Sequence, residues 1–332
     1  MTFRPLRQTL MLSVPVATAI ALFAQPSYAQ ATNTDDGQFY GNIGLYVGMS
    51  GERNALSTES NSLLPSLGIT PDSDSEAVFI PMWDLNYRWT QHEVYYKTDI
   101  VGMASDFYTQ LGYRYYLTES SYLAVGYVPG LLTKEAWADP YAVGVERQET
   151  DLSVNGWVFN YHGAFGTPYN LEIALGQREI DDEQSGQQAG FNTDALSREG
   201  DLLYAAVSRE HALSEIYGLE WEVHYLTADM KSDAMANDRI GGEIEMTAQF
   251  GRQITKFGVS AARQDYDGIN PLFNQTRKDT HIGLSATYIY AAPFNWQSSA
   301  FVARAGWDET RSNIDFYDSE EWLVTVGMNY RF

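Results

Sequence analysis

The chain ends Trp322-Leu-Val-Thr-Val-Gly-Met-Asn-Tyr-Arg-Phe332, and this stretch decides the fold. Trp322, Val324, Val326, Met328, Tyr330 and Phe332 take alternate positions, and Leu323, Thr325, Gly327, Asn329 and Arg331 fill the gaps. Successive side chains of a strand point to opposite faces, so this is a strand with one apolar, aromatic face and one small or polar face. Upstream, Ile244, Met246, Ala248 and Phe250 oppose Glu243, Glu245, Thr247 and Gln249. Leu219, Trp221, Val223 and Tyr225 oppose Glu220, Glu222 and His224, and Phe107, Leu111, Tyr113 and Tyr115 oppose Tyr108, Gln110, Arg114 and Tyr116. A soluble sandwich also alternates, but it has no need of charged residues facing a wide interior on many strands. A transmembrane barrel does, because its outside meets lipid and its lumen meets water or a polar plug.

The links between strands agree. Strand candidates begin near Phe39, Val78, Val94, Phe107, Tyr122, Leu152, Leu171, Leu202, Leu219, Gly242, Phe257, Thr280, Ser299 and Trp322. Short links alternate with long polar ones over 52–77, 131–150, 180–200, 229–239, 265–279 and 308–320, the link near Gly102 being a short exception. Short periplasmic turns and longer outer loops are the asymmetry of an outer-membrane barrel. Trp89, Tyr115, Tyr116, Phe165, Tyr169, Phe250, Phe257, Tyr290, Phe294, Trp296 and Phe332 cluster beside the short turns, as an interfacial aromatic girdle would. The fold class read from this is all-β, a transmembrane antiparallel barrel of about fourteen strands, with twelve as the alternative.

The N-terminus reads as an export signal. Arg4 and Arg7 precede an apolar run from Leu10 to Phe23, and small residues lead to a cut between Ala29 and Gln30. The run is shorter than the ~18–20 residues of a membrane span. Expected boundaries are a signal peptide over 1–29, a short periplasmic tail over 30–38 and a barrel over 39–332. With 21 Lys and Arg against 43 Asp and Glu, the net charge of −22 excludes a nucleic-acid partner. The absence of Cys removes thiol nucleophiles, thiolate metal sites and disulfides.

Thr325, Gly327, Tyr330 and Phe332 resemble the C-terminal assembly signal of bacterial outer-membrane barrels, which implies insertion by the outer-membrane assembly machinery. Further stretches carry a wider resemblance: Phe79-Ile-Pro-Met-Trp83, Glu135-Ala-Trp137-Ala-Asp-Pro140-Tyr141 with Gly144 and Arg147, Asp181-Asp-Glu-Gln-Ser185, Arg198-Glu-Gly-Asp201, Asn270-Pro-Leu-Phe-Asn-Gln-Thr-Arg277 and Asn313-Ile-Asp-Phe-Tyr-Asp318. Through them the chain resembles a gammaproteobacterial barrel family catalogued as domain of unknown function 2860. The resemblance implies a barrel in the Gram-negative outer membrane, with lipids and lipopolysaccharide as surroundings. It implies no activity.

Function is read from the residues. With Phe332 outward, parity turns Asp84, Arg88, Lys97, Arg114, Glu172, Glu220, Glu222, His224, Glu243, Glu245, His281, Arg304 and Arg331 inward. Glu172, Glu220, Glu222, Glu243 and Glu245 form an acidic wall. Arg88, Arg114, Arg304 and Arg331 form a basic wall across the lumen, because the first and last strands are neighbours. Opposed charge orients polar solutes, so a porin-like channel with cation preference is expected. A non-conducting barrel filled by its own side chains or loops is the alternative. A lipid-modifying enzyme is the third reading. His224 and His281 are the inward histidines, with Ser285 on the strand of His281, but no nucleophile motif accompanies them. No catalytic residue, cofactor or resident metal is therefore expected. Acidic loop pieces at Asp72-Ser-Asp74-Ser-Glu76, Asp181-Asp-Glu183 and Asp318-Ser-Glu-Glu321 are expected to be solvated, or to hold divalent cations weakly against lipopolysaccharide phosphates. Trp137, Tyr141, Phe273, Phe316 and Tyr317 are expected to pack loops over the mouth or to stack on partners.

Overall fold

A computed structural model describes residues 37–59, 62–68, 72–101, 106–130 and 133–332. The signal peptide, its cleavage site at Ala29 and Gln30, and most of the tail lie outside the described residues. The strands are β1 (Gln38–Asn54), β2 (Ser73–Trp89), β3 (His92–Val101), β4 (Asp106–Thr118), β5 (Ser121–Pro129), β6 (Lys134–Trp137), β7 (Glu149–His162) and β8 (Tyr169–Ile180). They continue as β9 (Gly200–Ala212), β10 (Tyr217–Met230), β11 (Asn237–Phe250), β12 (Gln253–Asn270), β13 (Gln275–Ala291), β14 (Ser299–Ser312) and β15 (Ser319–Arg331).

Consecutive strands pair antiparallel except β5 and β6, β5 pairs instead with β7, and β1 pairs with β15 from Asn42↔Arg331 to Asn54↔Ser319. The ring closes with fourteen strands, and β6 is a short extra strand added to the outer end of β7. Closure removes both sheet edges, which hydrocarbon requires because it cannot hydrogen-bond an open backbone. The twelve-strand alternative is set aside.

Parity organises the wall. On β1, Phe39, Ile43, Leu45, Val47 and Met49 are exposed on the outside while Tyr46 and Ser50 are buried inside. The same rule turns Ile240, Ile244 and Met246 outward on β11 and Val324, Val326 and Tyr330 outward on β15. At the short turns, Phe165 and Phe294 are 81% and 83% exposed at the tips, and Trp296, Phe250 and Phe257 stand nearby. These form the aromatic girdle. Tyr116 is not part of it, because it faces inward and its hydroxyl donates to Glu93 at 3.1 Å.

Paired rows run obliquely around the wall. From Glu321 near the outer end of β15 the partners are Asp308, Gly283, Ser260, Glu243, Glu222, Ser208 and Asn170, the last near the turn end of β8. This is the stagger that strand tilt gives a closed barrel. The outer loops are shorter than the polar runs suggest. The links 229–239 and 265–279 shrink to 231–236 and 271–274, because β10 to β13 continue outward as paired strands. Above the membrane both faces of a strand meet polar surroundings, so alternation fades there while the backbone ladder persists.

Candidate functional site: the lumen and its outer cap

The outer loops close over the mouth. Ala55 and Leu64 from the loop after β1, Tyr141 from 130–148, Leu196 from 181–199, Ala234 and Met235 from 231–236, and Phe316 and Tyr317 from 313–318 bury one another in a single cluster. Leu272 and Phe273 pack against it. Tyr141 stands between β5 and β7, and Tyr317 between β14 and β15, on opposite sides of the fourteen-membered ring. Their hydroxyls are 2.8 Å apart, so the cap bridges the full width of the mouth.

Polar groups lock the cap. Asn270 Nδ2 donates to the Tyr317 hydroxyl at 2.8 Å. Trp137 Nε1 donates to the Ser57 carbonyl at 2.8 Å, and Arg198 Nη2 donates to the Trp137 carbonyl at 2.7 Å while pairing with Glu183. Arg147 lies 4.3 Å over the Trp137 ring and donates to the carbonyls of Ala55 and Pro140. Burial pushes its guanidinium down to about 10 and the Tyr141 hydroxyl up to about 12. Asp139 Oδ1 and Oδ2 accept from the Gly186 and Gln188 amides at 2.9 and 3.0 Å. The stretches around Trp137, Glu183, Arg198, Asn270 and Tyr317 thus converge in one device, a cap over the lumen.

Below the cap lie the residues expected to form the two walls. On the acidic wall Glu220 faces Glu245 and Glu222 faces Glu243 across β10 and β11, with Glu172 on β8. Lys256 Nζ meets Glu245 at 2.6 Å, Tyr204 donates to Glu222 at 3.0 Å, and His224 Nδ1 lies 3.4 Å from Glu222. On the basic wall the Arg88 guanidinium lies 3.6 Å over the Tyr116 ring and Arg304 lies 5.4 Å over Tyr46. Arg114 lies 4.1 Å over Tyr95, donates to Asn86 at 3.0 Å and pairs with Glu93. Arg331 is inward on β15 near the turn end.

Two charges were missed on these walls. Glu93, fully buried, sits among the bases and takes hydrogen bonds from Arg114, Tyr40 and Tyr116. Lys256 sits among the acids. Both stand one residue before Val94 and Phe257, where the apolar alternation starts, although their parity assigns them to the lumen. Arg239, Arg277, Asp279 and Asp308 also point inward, from positions read as loop or loop edge, and so does Arg178, two residues before the link read over 180–200.

At the C-terminus Thr325 and Gly327 face inward while Tyr330 and Phe332 face out. A Cβ on Gly327 would run into the Leu45 carbonyl and the Tyr46 ring, so glycine gives Tyr46 its seat. The Phe332 ring meets Phe39 of β1 with centroids 5.5 Å apart. His281 is bonded through Nε2 to Gln264 at 3.0 Å and through Nδ1 to Thr310 at 2.9 Å, which leaves neither ring nitrogen to activate Ser285.

Among solved structures, the chain is similar to the monoaromatic hydrocarbon channel CymD, at 9% identity over 88% of each chain with a TM-score of 0.46. It is similar to the outer membrane channel DcaP of Acinetobacter baumannii, at 11% identity over 90% of this chain and 97% of that one, TM-score 0.43. It is similar to an anion-selective porin from Comamonas acidovorans, at 10% identity over 90% and 99%, TM-score 0.40. No curated protein matches it. The model of one family, described as protein of unknown function DUF2860, matches residues 38–331, and the chain belongs to that family.

Proposed function

We propose that this protein is a porin-like channel of the Gram-negative outer membrane, for gated passage of small polar solutes, with cation preference set by the Glu-rich wall. One observation carries the reading: glutamates gather on β8, β10 and β11 and arginines on β2, β4, β14 and β15 of a closed ring, although Arg178, Arg239 and Lys256 stand among the acids and Glu93 and Asp308 among the bases. A barrel serving only as a body in the membrane has no need of that transverse separation. The outer cap is the gate. Export through a cleaved signal peptide, insertion by the assembly machinery, and divalent bridging from the acidic loops to lipopolysaccharide phosphates belong to the same reading. The bonded ring of His281 argues against a hydrolase built on Ser285.

The cap also favours a second reading, a non-conducting barrel that presents its outer loops for recognition. Planar-bilayer recording of the refolded mature protein under a salt gradient separates the two. Discrete steps with a cation-selective reversal potential are expected, and replacing Glu220, Glu222, Glu243 and Glu245 by Gln should reduce that selectivity. Unchanged selectivity would sink the wall argument. A silent bilayer, with folding confirmed by heat-modifiable gel migration, would favour recognition.

A further inference from the structure

A trough of about 450 Å³ lies on the outer, lipid-facing wall, over β5 at its turn end. Two outward rows build it. Tyr113 of β4, Val125 of β5, Phe159 of β7 and Ile173 of β8 pair in sequence, so a valine stands between two rings. In the next row toward the turns, Tyr115, Leu123, Tyr161 and Leu171 repeat that order. The β5 side chains are shorter than the rings beside them, so β5 is the floor and β4 and β7 are the walls. Beyond Val125 the trough ends, because Tyr127 and Trp157 meet with ring centroids 4.9 Å apart. At the turn end Phe165 stands against the Tyr161 ring, edge to face at 5.3 Å.

The lining is apolar although tyrosines supply much of it. The Tyr113 hydroxyl bonds to Nδ1 of His92, and the Tyr115 hydroxyl donates to Gln91 at 3.1 Å. These polar ends are engaged at the start of β3, which leaves the rings to the trough. Clefts of this size with apolar and aromatic walls are where small ligands bind.

Position and shape choose the occupant. Leu123, Phe159 and Ile173 are exposed on the same outer face as the apolar belt of β1, β11 and β15, so the trough is continuous with the surface that meets the bilayer. From Leu123 to Tyr127 it runs roughly 13 Å at the rise of a strand. That is close to the ~15 Å half-thickness of a hydrocarbon core. A second barrel presents a convex wall, which cannot enter a trough flanked by rings, whereas a flexible hydrocarbon chain can. The short turns face the periplasm, and the leaflet on that side is built of phospholipids. We infer that the trough over β5 is a binding site for one acyl chain of a phospholipid of the periplasmic leaflet. The headgroup then lies at the level of Phe165, within the aromatic girdle. The site does not depend on what passes through the lumen and stands whether or not the barrel conducts.

The test is native mass spectrometry of the folded mature barrel in detergent, after incubation with palmitoyl-oleoyl phosphatidylethanolamine. One lipid per barrel is expected to survive the activation that strips the detergent. Val125→Trp fills the floor and should abolish that retention, and Phe159→Ala removes a wall and should weaken it. Val259→Trp adds the same bulk to the outward face of β12, away from the trough, and should leave retention unchanged. Heat-modifiable gel migration confirms folding, and if Val125→Trp does not fold, Phe159→Ala carries the comparison. A wild-type barrel that keeps no lipid, equal retention in the wild type and both trough variants, or an equal loss in Val259→Trp overturns the proposal. So does a dimer or trimer that Val125→Trp dissociates, which would assign the trough to a second copy of the chain.

Discussion

At the scale of single residues, the lumen is a set of charges whose partners decide what each one does. Glu93 is fully buried and depends on Arg114, Tyr40 and Tyr116. Arg114→Ala removes its counter-charge and should lower barrel stability by about 3–5 kcal/mol, while changing both partners to Gln should cost clearly less. Urea unfolding followed by heat-modifiable gel migration reads the difference, and equal losses would show that Arg114 acts by packing alone. Parity alone turned Glu172, Glu220, Glu222, Glu243, Glu245, Arg88, Arg114, Arg304 and Arg331 toward the lumen, because a period of two leaves no choice once one outward residue is fixed. Glu93 and Lys256 escaped that reading. A strand that opens with an inward charge looks like the end of a turn until its backbone partners, Arg88 and Thr247, are known.

At the scale of elements, the alternation of short turns and long loops was legible, and the outward extension of β10 to β13 was not. Nor was β6, which is too short to show a period and is held by its ladder to β7. Arg239 and Asp279 therefore lay hidden in apparent loops, and Asp308 of β14 fell in the run read as a loop over 308–320. The loop after β1 carries a pH response. Burial, with Glu76, Glu135, Glu52 and Asp74 around it, raises the Glu59 carboxyl from its ordinary 4.5 to about 7. Between these values the folded loop binds more protons than the unfolded one, so its stability falls as pH rises through that window. Hydrogen exchange corrected for intrinsic rates should find the stretch from Asn54 to Glu59 better protected at pH 5 than at pH 8. Glu59→Gln should flatten the difference, and a wild-type loop equally protected at both pH values would contradict the argument.

At the scale of the whole molecule, the cap is held by contacts that span the mouth. Tyr141 and Tyr317 join opposite sides of the ring through one hydroxyl pair and the shared ring of Phe316, whose centroid is 5.5 Å from Tyr141 and 5.1 Å from Tyr317. Cutting Tyr141 to Ala or Leu opens that span without touching the walls, and Tyr317 is left in place because Arg277 lies 3.7 Å over its ring. Such variants should conduct more, or stay open longer, than the wild type in the same bilayer, with ion selectivity unchanged. A fall in conductance would mean that the cap supports the pore rather than shuts it.

The pairing of β1 with β15 has a consequence in time. The first strand of the ring pairs with the fifteenth, so the ring cannot close until the chain has been made through β15. Contacts that join the two ends of a chain of this length give it a high contact order, which makes unaided folding slow. Through that interval β1 keeps an unsatisfied edge that can add to any strand it meets. Closure is thus the step at which a chaperone or an insertion catalyst has most to contribute, and the Phe39–Phe332 ring contact is among the last to form.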